Sequence, residues 1–136
     1  IQQAHPHARN RRVVTIIDTD VPGGTGVGLV AMLEVVALMI GDVVQGYSER
    51  RYDEPRPLEP GLFLRKGCPK SLYRPGSSTD VVIFQPGRVR FHPRLLRDRA
   101  RVDVASRYTR ALGHAVTESE IRVREALARR APRAGD

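Results

Sequence analysis

The stretch GLVAMLEVVALMIGDVVQ, residues 28–45, decides between a helical and a β fold. Its Ala, Leu, Met and Glu residues favour helix, whereas Val30, Val35, Val36, Val43 and Val44 favour strands. Nearly every position is apolar, so neither a helical nor an alternating repeat separates the two. The Gly41-Asp42 step interrupts the run where a helix would have to continue, and we read two strands. The apolar segment from Val27 to Ile40 is broken by Glu34 and is too short for the roughly 20 apolar residues of a membrane-spanning helix.

Working outward, VVTIID (residues 13–18) is β-branched and follows a polar, basic run, which predicts a strand ahead of the turn region Asp20 to Gly28. Residues 46–70 hold Pro55, Pro57, Pro60 and Pro69 with Gly61 and Gly67. That punctuation predicts loop, with one short strand at Leu62 to Arg65. Asp80 to Phe84 (DVVIF) reads as a strand, and the Pro86-Gly87 step leads to a second strand, Arg88 to Phe91, as in a hairpin. Thr117 followed by Glu120 has the spacing of a helix capping box, and Ala126, Leu127 and Ala128 suit a helix running to about Arg130. The expected fold is α+β and mainly β: antiparallel strands over 13–45 and 62–91, with a C-terminal helix.

The length of 136 residues fits a single domain, and 40% hydrophobic with 28% charged residues is the balance of a globular chain. One cysteine, Cys68, allows no internal disulfide and no Cys-rich zinc site, which fits a reducing cytoplasm. The chain begins at Ile1 with no signal-like sequence after it, and so reads as a fragment or a processed product. The net charge is +8 and the pI about 10.7. No Lys or Arg occurs over residues 13–47, and the excess of cations lies in residues 88–136. All but Lys66 and Lys70 of the 23 cations are arginines, whose planar forks suit phosphate and carboxylate groups. Acidic partners follow, either lipid headgroups or nucleic acid.

Several motifs reduce to ordinary structure. The run Gly23-Gly24-Thr25-Gly26-Val27-Gly28 has the outer spacing of a phosphate loop but continues with Leu29 and Val30 instead of Lys and Ser/Thr, and it reads as a turn. His5 and His7, with His92 and His114 alone, lack converging carboxylates, and no metal site is expected. Cys68 lies near Lys66 and Lys70 but has no nucleophile signature around it. Pro75-Gly76-Ser77-Ser78-Thr79, directly before a strand, is by itself a turn with hydroxyl-to-backbone hydrogen bonds.

Its company gives that last motif more weight. Ala8 to Val14 (ARNRRVV), Asp18-Thr19, the paired valine-rich strands, GLFLRK (residues 61–66) and GSSTDVVIFQPGRV (residues 76–89) together resemble the phosphatidylserine decarboxylase family of pyruvoyl enzymes, in the family's order over residues 8–92. The resemblance implies self-processing within Gly76, Ser77 and Ser78. There a serine hydroxyl attacks the preceding carbonyl, the peptide becomes an ester, and elimination leaves a pyruvoyl group at a new N-terminus. That carbonyl captures the substrate amine and draws electrons as carbon dioxide leaves. A glycine before the serine eases the strained turn, which favours Ser77. The family's phenylalanine six residues after its reactive serine matches Phe84 and favours Ser78, so both stand as candidate catalytic residues and sources of the pyruvoyl cofactor. Thr79 would lie beside the new group and help orient it or the substrate.

The resemblance further implies phosphatidylserine or a related aminophospholipid as substrate, phosphatidylethanolamine as product, a peripheral place on an anionic membrane at the cytoplasmic side, and assembly into a homo-oligomer. The family's proton-relay histidine and aspartate lie ahead of the segment matched here, so the N-terminal portion of the proenzyme is an implied partner. Relatives in the wider family that act on free amino acids give an alternative substrate class. A basic binding module is the non-enzymatic alternative; Phe91 and Tyr108 are the only aromatics after residue 87, so stacking on nucleic acid is not favoured.

Overall fold

The computed structural model describes residues 10–36, 41–74, 78–99, 101, 103 and 117–132. Its elements in chain order are β1 (Arg12–Asp18), β2 (Leu29–Val36), β3 (Asp42–Gln45), β4 (Ser71–Arg74), β5 (Ser78–Phe84), β6 (Val89–Phe91), α1 (Pro93–Arg99) and β7 (Ala128–Arg130). They form sheets of order β1-β2-β5, β3-β4 and β6-β7. The mainly β, α+β class expected from the valine-rich runs is the one found, and the ambiguous stretch 28–45 does contain two strands. The chain divides into two compact units, residues 1–18 with 29–83 and residues 19–28 with 84–136.

In the first unit β1 and β2 form an antiparallel ladder from Arg12↔Val35 to Asp18↔Leu29. Strand alternation puts Val13, Thr15 and Ile17 half-buried on one face and Val14 and Ile16 exposed on the other. On β2 the buried positions are Val30, Glu34 and Val36. The second sheet runs from Asp42↔Arg74 to Gln45↔Ser71 and adds Val43 to the core. Tyr47 is fully buried. Its hydroxyl donates to Glu49 at 3.2 Å and accepts the Arg65 N–H at 2.9 Å, while the Arg56 guanidinium stands 5.4 Å from the ring centroid. This anchor shapes the proline-rich loop. The short strand expected at Leu62 to Arg65 is not formed: the Arg65 N–H is taken by Tyr47 instead of a strand neighbour, and the Leu62 N–H closes a turn on Glu59 O.

In the second unit the glycine run is the turn it was read to be. Thr19 closes it, its hydroxyl donating to Gly28 O at 2.7 Å and accepting the Val27 N–H at 2.8 Å. Gly28 has φ +77°, a left-handed conformation that strains any other residue, so glycine is favoured there. Arg88 pairs with Asp20. The Pro86-Gly87 turn forms, but its flanking strands are not a hairpin: β5 joins β2, whereas β6 pairs with β7. The ends of that small ladder are tied by His92 N–H to Leu127 O at 2.8 Å and Ala131 N–H to Arg88 O at 2.9 Å.

The tail helix expected from Thr117 to Arg130 is corrected as well. Glu125 accepts the Arg122 N–H at 2.9 Å and pairs with Arg94 at 2.5 Å, and the Glu125 N–H returns to Arg122 O. These bonds fix a turn, with Arg124 at φ +68°, and the following Ala128–Arg130 supplies the partner that β6 needs. The helix of the α+β reading lies earlier, at Pro93–Arg99, where proline's fixed φ suits the first turn and Arg97 and Arg99 face the negative end of the helix dipole.

One turn in the first unit carries strain. Asp53 N–H bonds to Arg50 O at 3.1 Å across Arg51 (φ +54°) and Tyr52 (φ +80°), a left-handed pair of the kind that favours Asn-Gly. Tyr52 is 56% exposed, so its side chain contributes little packing. Tyr52→Gly is expected to stabilise the fold by about 1 kcal/mol by relieving the left-handed penalty. In thermal unfolding that is a rise of about 3–6 °C; a fall would contradict the strained turn.

Candidate active site

Glu34 is the sole charged residue between Asp20 and Asp42, and it lies fully buried on β2, the central strand of its sheet. A carboxylate survives there only if it is paired and hydrogen-bonded. Lys70 supplies the charge, its Nζ 2.5 Å from Oε2, and is itself 9% exposed. Gln45 donates Nε2 to the same oxygen at 3.0 Å and takes a hydrogen bond from Lys70 at 2.7 Å, while Ser71 donates to Oε1. Burial alone would raise the Glu34 carboxyl, but the hydrogen bonds from Lys70, Ser71 and Gln45 and the Lys70 charge outweigh it and hold it below the ordinary carboxylate value. The cluster ties β2 to β3 and to the start of β4.

One turn along β4, Tyr73 extends the polar group towards β5. Its hydroxyl donates to Asp80 Oδ1 at 2.5 Å. Burial, then the hydrogen bond and charge of Asp80 and the charge of Glu34, push the Tyr73 hydroxyl well above the ordinary tyrosine range; the Ser78 contact opposes this. Ser78 and Asp80 alternate onto the same face of β5. The hydrogen bond that joins the two strands here is a single one, from the Tyr73 hydroxyl to the Asp80 carboxylate.

Of the residues singled out from sequence, Ser78 is placed at the exposed head of β5, and Thr79 follows it on the strand's opposite face. Gly76 and Ser77 lie outside the described residues, as do His5, His7, His114 and Tyr108. His92 is exposed and its Nδ1 accepts the Arg94 N–H at 3.3 Å. Cys68 is a half-buried free thiol in a loop turn. Among the described residues no three His, Cys, Asp or Glu side chains converge as a metal site would require. A concavity of about 330 Å³ is lined by Arg56, Pro57, Glu59, Pro60 and Leu62, none of them a candidate residue. Sequence reasoning missed Glu34, Lys70, Tyr73 and Asp80. A signal existed for the first two, since a lone carboxylate inside an apolar strand demands a buried cation.

Comparison with known proteins adds the following. Residues 2–110 match the family model described as phosphatidylserine decarboxylase. The chain is 34% identical over 90 residues to a phosphatidylserine decarboxylase proenzyme of Chlamydia felis, covering 65% of this chain and 24% of the relative. It is 35% identical over 82 residues to the proenzyme of Chlamydia trachomatis serovar L2, covering 60% and 22%, and 28% identical over 107 residues to that of Chlamydia muridarum, covering 78% and 30%. The chain thus spans about a quarter of the length of the curated relatives it matches. No solved structure matches it.

The buried pair makes a stability prediction with a defined sign. Glu34→Gln or Lys70→Met alone, each leaving one partner buried without its counter-charge, should cost about 3–5 kcal/mol in chemical denaturation, and the double variant less than the sum. Because the folded Glu34 carboxyl is held low, its contribution is complete above the unfolded value of about 4.3 and is lost as pH falls through the folded value. The stability gap between the native chain and Glu34→Gln should therefore narrow in acid; a constant gap would contradict the ionised pair.

Proposed function

The chain belongs to the phosphatidylserine decarboxylase family, and from that premise we propose that it is the C-terminal portion of an enzyme that decarboxylates phosphatidylserine to phosphatidylethanolamine after cutting its own backbone within Gly76, Ser77 and Ser78. The observation that carries the reading is the family match across residues 2–110, which includes this motif directly before an apolar strand.

Self-processing needs only chain atoms and one water. The serine oxygen bonds to the carbonyl carbon before it as the peptide C–N bond breaks, so the amide becomes an ester. Loss of the serine Cα proton then breaks the Cβ–O bond, releasing a carboxylate on the upstream chain and leaving a dehydroalanine. Water replaces its nitrogen, ammonia departs, and a pyruvoyl group remains. The residues present fit that group: Ser78 is exposed at a strand head, so a new end formed there is open to a substrate amine. Once formed, the group supplies an electron sink for loss of carbon dioxide. Thr79, next in the chain, orients whichever of Ser77 or Ser78 is converted. Lys70 is committed to Glu34 and holds the β4 end of the site instead of binding substrate.

The lipid substrate calls for a surface that meets anionic headgroups, at the cytoplasmic side and without crossing. No helix among the described residues is long and apolar enough to span a membrane. Exposed arginines in the second unit support peripheral contact: Arg97 and Arg99 on α1, and Arg90 directly opposite Arg129 across β6 and β7. Facing cations repel unless an anion lies between them. The N-terminal portion of the proenzyme completes the site with the proton-relay residues that the family places there.

Intact-mass spectrometry on the protein expressed from its complete reading frame tests the enzyme directly. Two chains are expected, cut before residue 77 or 78, with the downstream one lighter than its sequence by the mass of one ammonia and able to trap an amine under borohydride. A single uncut chain would refute the reading. For the surface, changing Arg90, Arg97, Arg99 and Arg129 to Gln should weaken partition onto phosphatidylserine vesicles by on the order of a hundredfold or more, at roughly 1 kcal/mol per cation. Unchanged partition would remove the membrane role from these residues.

A further inference from the structure

We propose that the turn at residues 122–125 is a membrane-inserting wedge, which carries Val123 into the boundary between headgroups and acyl chains of an anionic bilayer and sets the Arg124 guanidinium on the lipid phosphates. The wedge rests on the peripheral-membrane reading above and adds a point of insertion that exposed arginines alone do not supply. The family match covers residues 2–110, and this turn lies after it, so the decarboxylase reading gives it no task.

Val123 is 92% exposed, and Ile121, two residues before it, is 48% exposed. Scattered apolar side chains are ordinary on a surface, but this one stands at the tip of a braced turn. The Glu125 N–H closes the turn on Arg122 O at 2.9 Å, and the Glu125 carboxylate accepts the Arg122 N–H at 2.9 Å. From α1, Arg94 donates to Glu125 at 2.5 Å and to Glu120 O at 3.1 Å, while Ser119 donates to Asp98 at 2.6 Å. The fold therefore holds this valine out in water instead of burying it. Arg124 points the same way: its φ of +68° is left-handed, a conformation that glycine would adopt without strain. Strain of that kind is kept where the side chain has a use.

Shape and charge select the partner. A valine at the tip of a convex turn offers a rigid protein little area to cover, whereas a bilayer is fluid and closes around it. Nucleic acid has phosphates but no apolar layer to receive Val123. No hydrogen bond or ion pair among the described residues holds the Arg124 side chain, so its stem is free to lie along the apolar layer while its fork reaches phosphate oxygens. Of the nearby carboxylates, Glu125 is neutralised by Arg94. Glu118 and Glu120 are exposed on the approach, and the exposed Arg122, Arg129 and Arg130 outweigh them. The helix fastened to the turn through Arg94 adds the exposed Arg97 and Arg99, so an acidic lipid surface is met by cations from both elements.

The sequence contains no tryptophan, and Val123→Trp in the complete reading frame adds a reporter read as the difference from the native protein. On vesicles of phosphatidylserine and phosphatidylcholine its emission should move to shorter wavelength and be quenched by brominated acyl chains. Tyr52→Trp, exposed in the first unit, should show neither. Val123→Ser should weaken partition about tenfold, the value of burying one valine side chain, and Val123→Leu should preserve it. Arg124→Gly should weaken partition about fivefold while raising the unfolding temperature, opposite signs that a structural role for Arg124 would not give. A bound Val123→Trp protein with an unshifted spectrum, quenching at both positions alike, or native partition for Val123→Ser would overturn the wedge and leave the arginine surface standing. No partition of the native protein would overturn both. Intact mass of the same samples keeps the enzyme separate: a cut chain with no shift at residue 123 leaves the decarboxylase reading standing, and an uncut chain with the shift refutes that reading while supporting the wedge.

Discussion

Taking the fully buried Glu34 carboxylate out of water is costly, and the local architecture of the first unit answers that cost. A charge on the central strand of a three-stranded sheet must find its counter-charge and its hydrogen bonds from outside that sheet. Lys70, Ser71 and Gln45 supply them from the β3-β4 layer, so the carboxylate acts as a pin between two sheets that share no ladder. The pin also sets where β4 begins. Gly46 and Ser48 donate to Lys70 O and Pro69 O at 2.9 and 3.0 Å, holding from the backbone what Glu34 holds from the side chain. With the head of β4 fixed from both sides, Tyr73 three residues after Lys70 has a defined position from which to meet Asp80.

Legibility from sequence followed the range over which each decision is made. The strands β1, β2, β3 and β5 were readable because their β-branched residues carry a local preference that tertiary contacts reinforce. β4, with the mixed sequence Ser-Leu-Tyr-Arg beside Pro69 and Pro75, has little such preference and exists because β3 offers it a partner. β7 is the stronger case: Ala128–Arg130 sits in a segment with good helix formers, and the need of β6 for an opposite strand overrides them. The Leu62 to Arg65 segment failed in the other direction, the Arg65 N–H being already claimed by a buried tyrosine.

The candidate site divides in the same way. Ser77, Ser78 and Thr79 were visible as a motif in a particular order of neighbours, and of these the described residues include Ser78 and Thr79. Tyr73 and Asp80 were invisible because nothing in a seven-residue separation says that one lies on each of two strands in different sheets and that their side chains meet. A phenol beside a carboxylate is a common surface pair.

The β2-β5 pairing gains a different character if the backbone is broken ahead of β5. In the uncut chain those two strands are held at the high local concentration of a single polymer, and their ladder is ordinary secondary structure. After a break within residues 76–78 that part of the sheet belongs to two molecules, β1 to β4 on one and β5 onward on the other. The same hydrogen bonds then become a subunit interface, with a translational entropy to overcome on every re-encounter and a concentration-dependent lifetime. Separation would bare the edge of β2, the strand that carries the buried charge, and an open strand edge recruits other strands. A protein of this design would be assembled once, as it folds, and would not be reassembled from its parts.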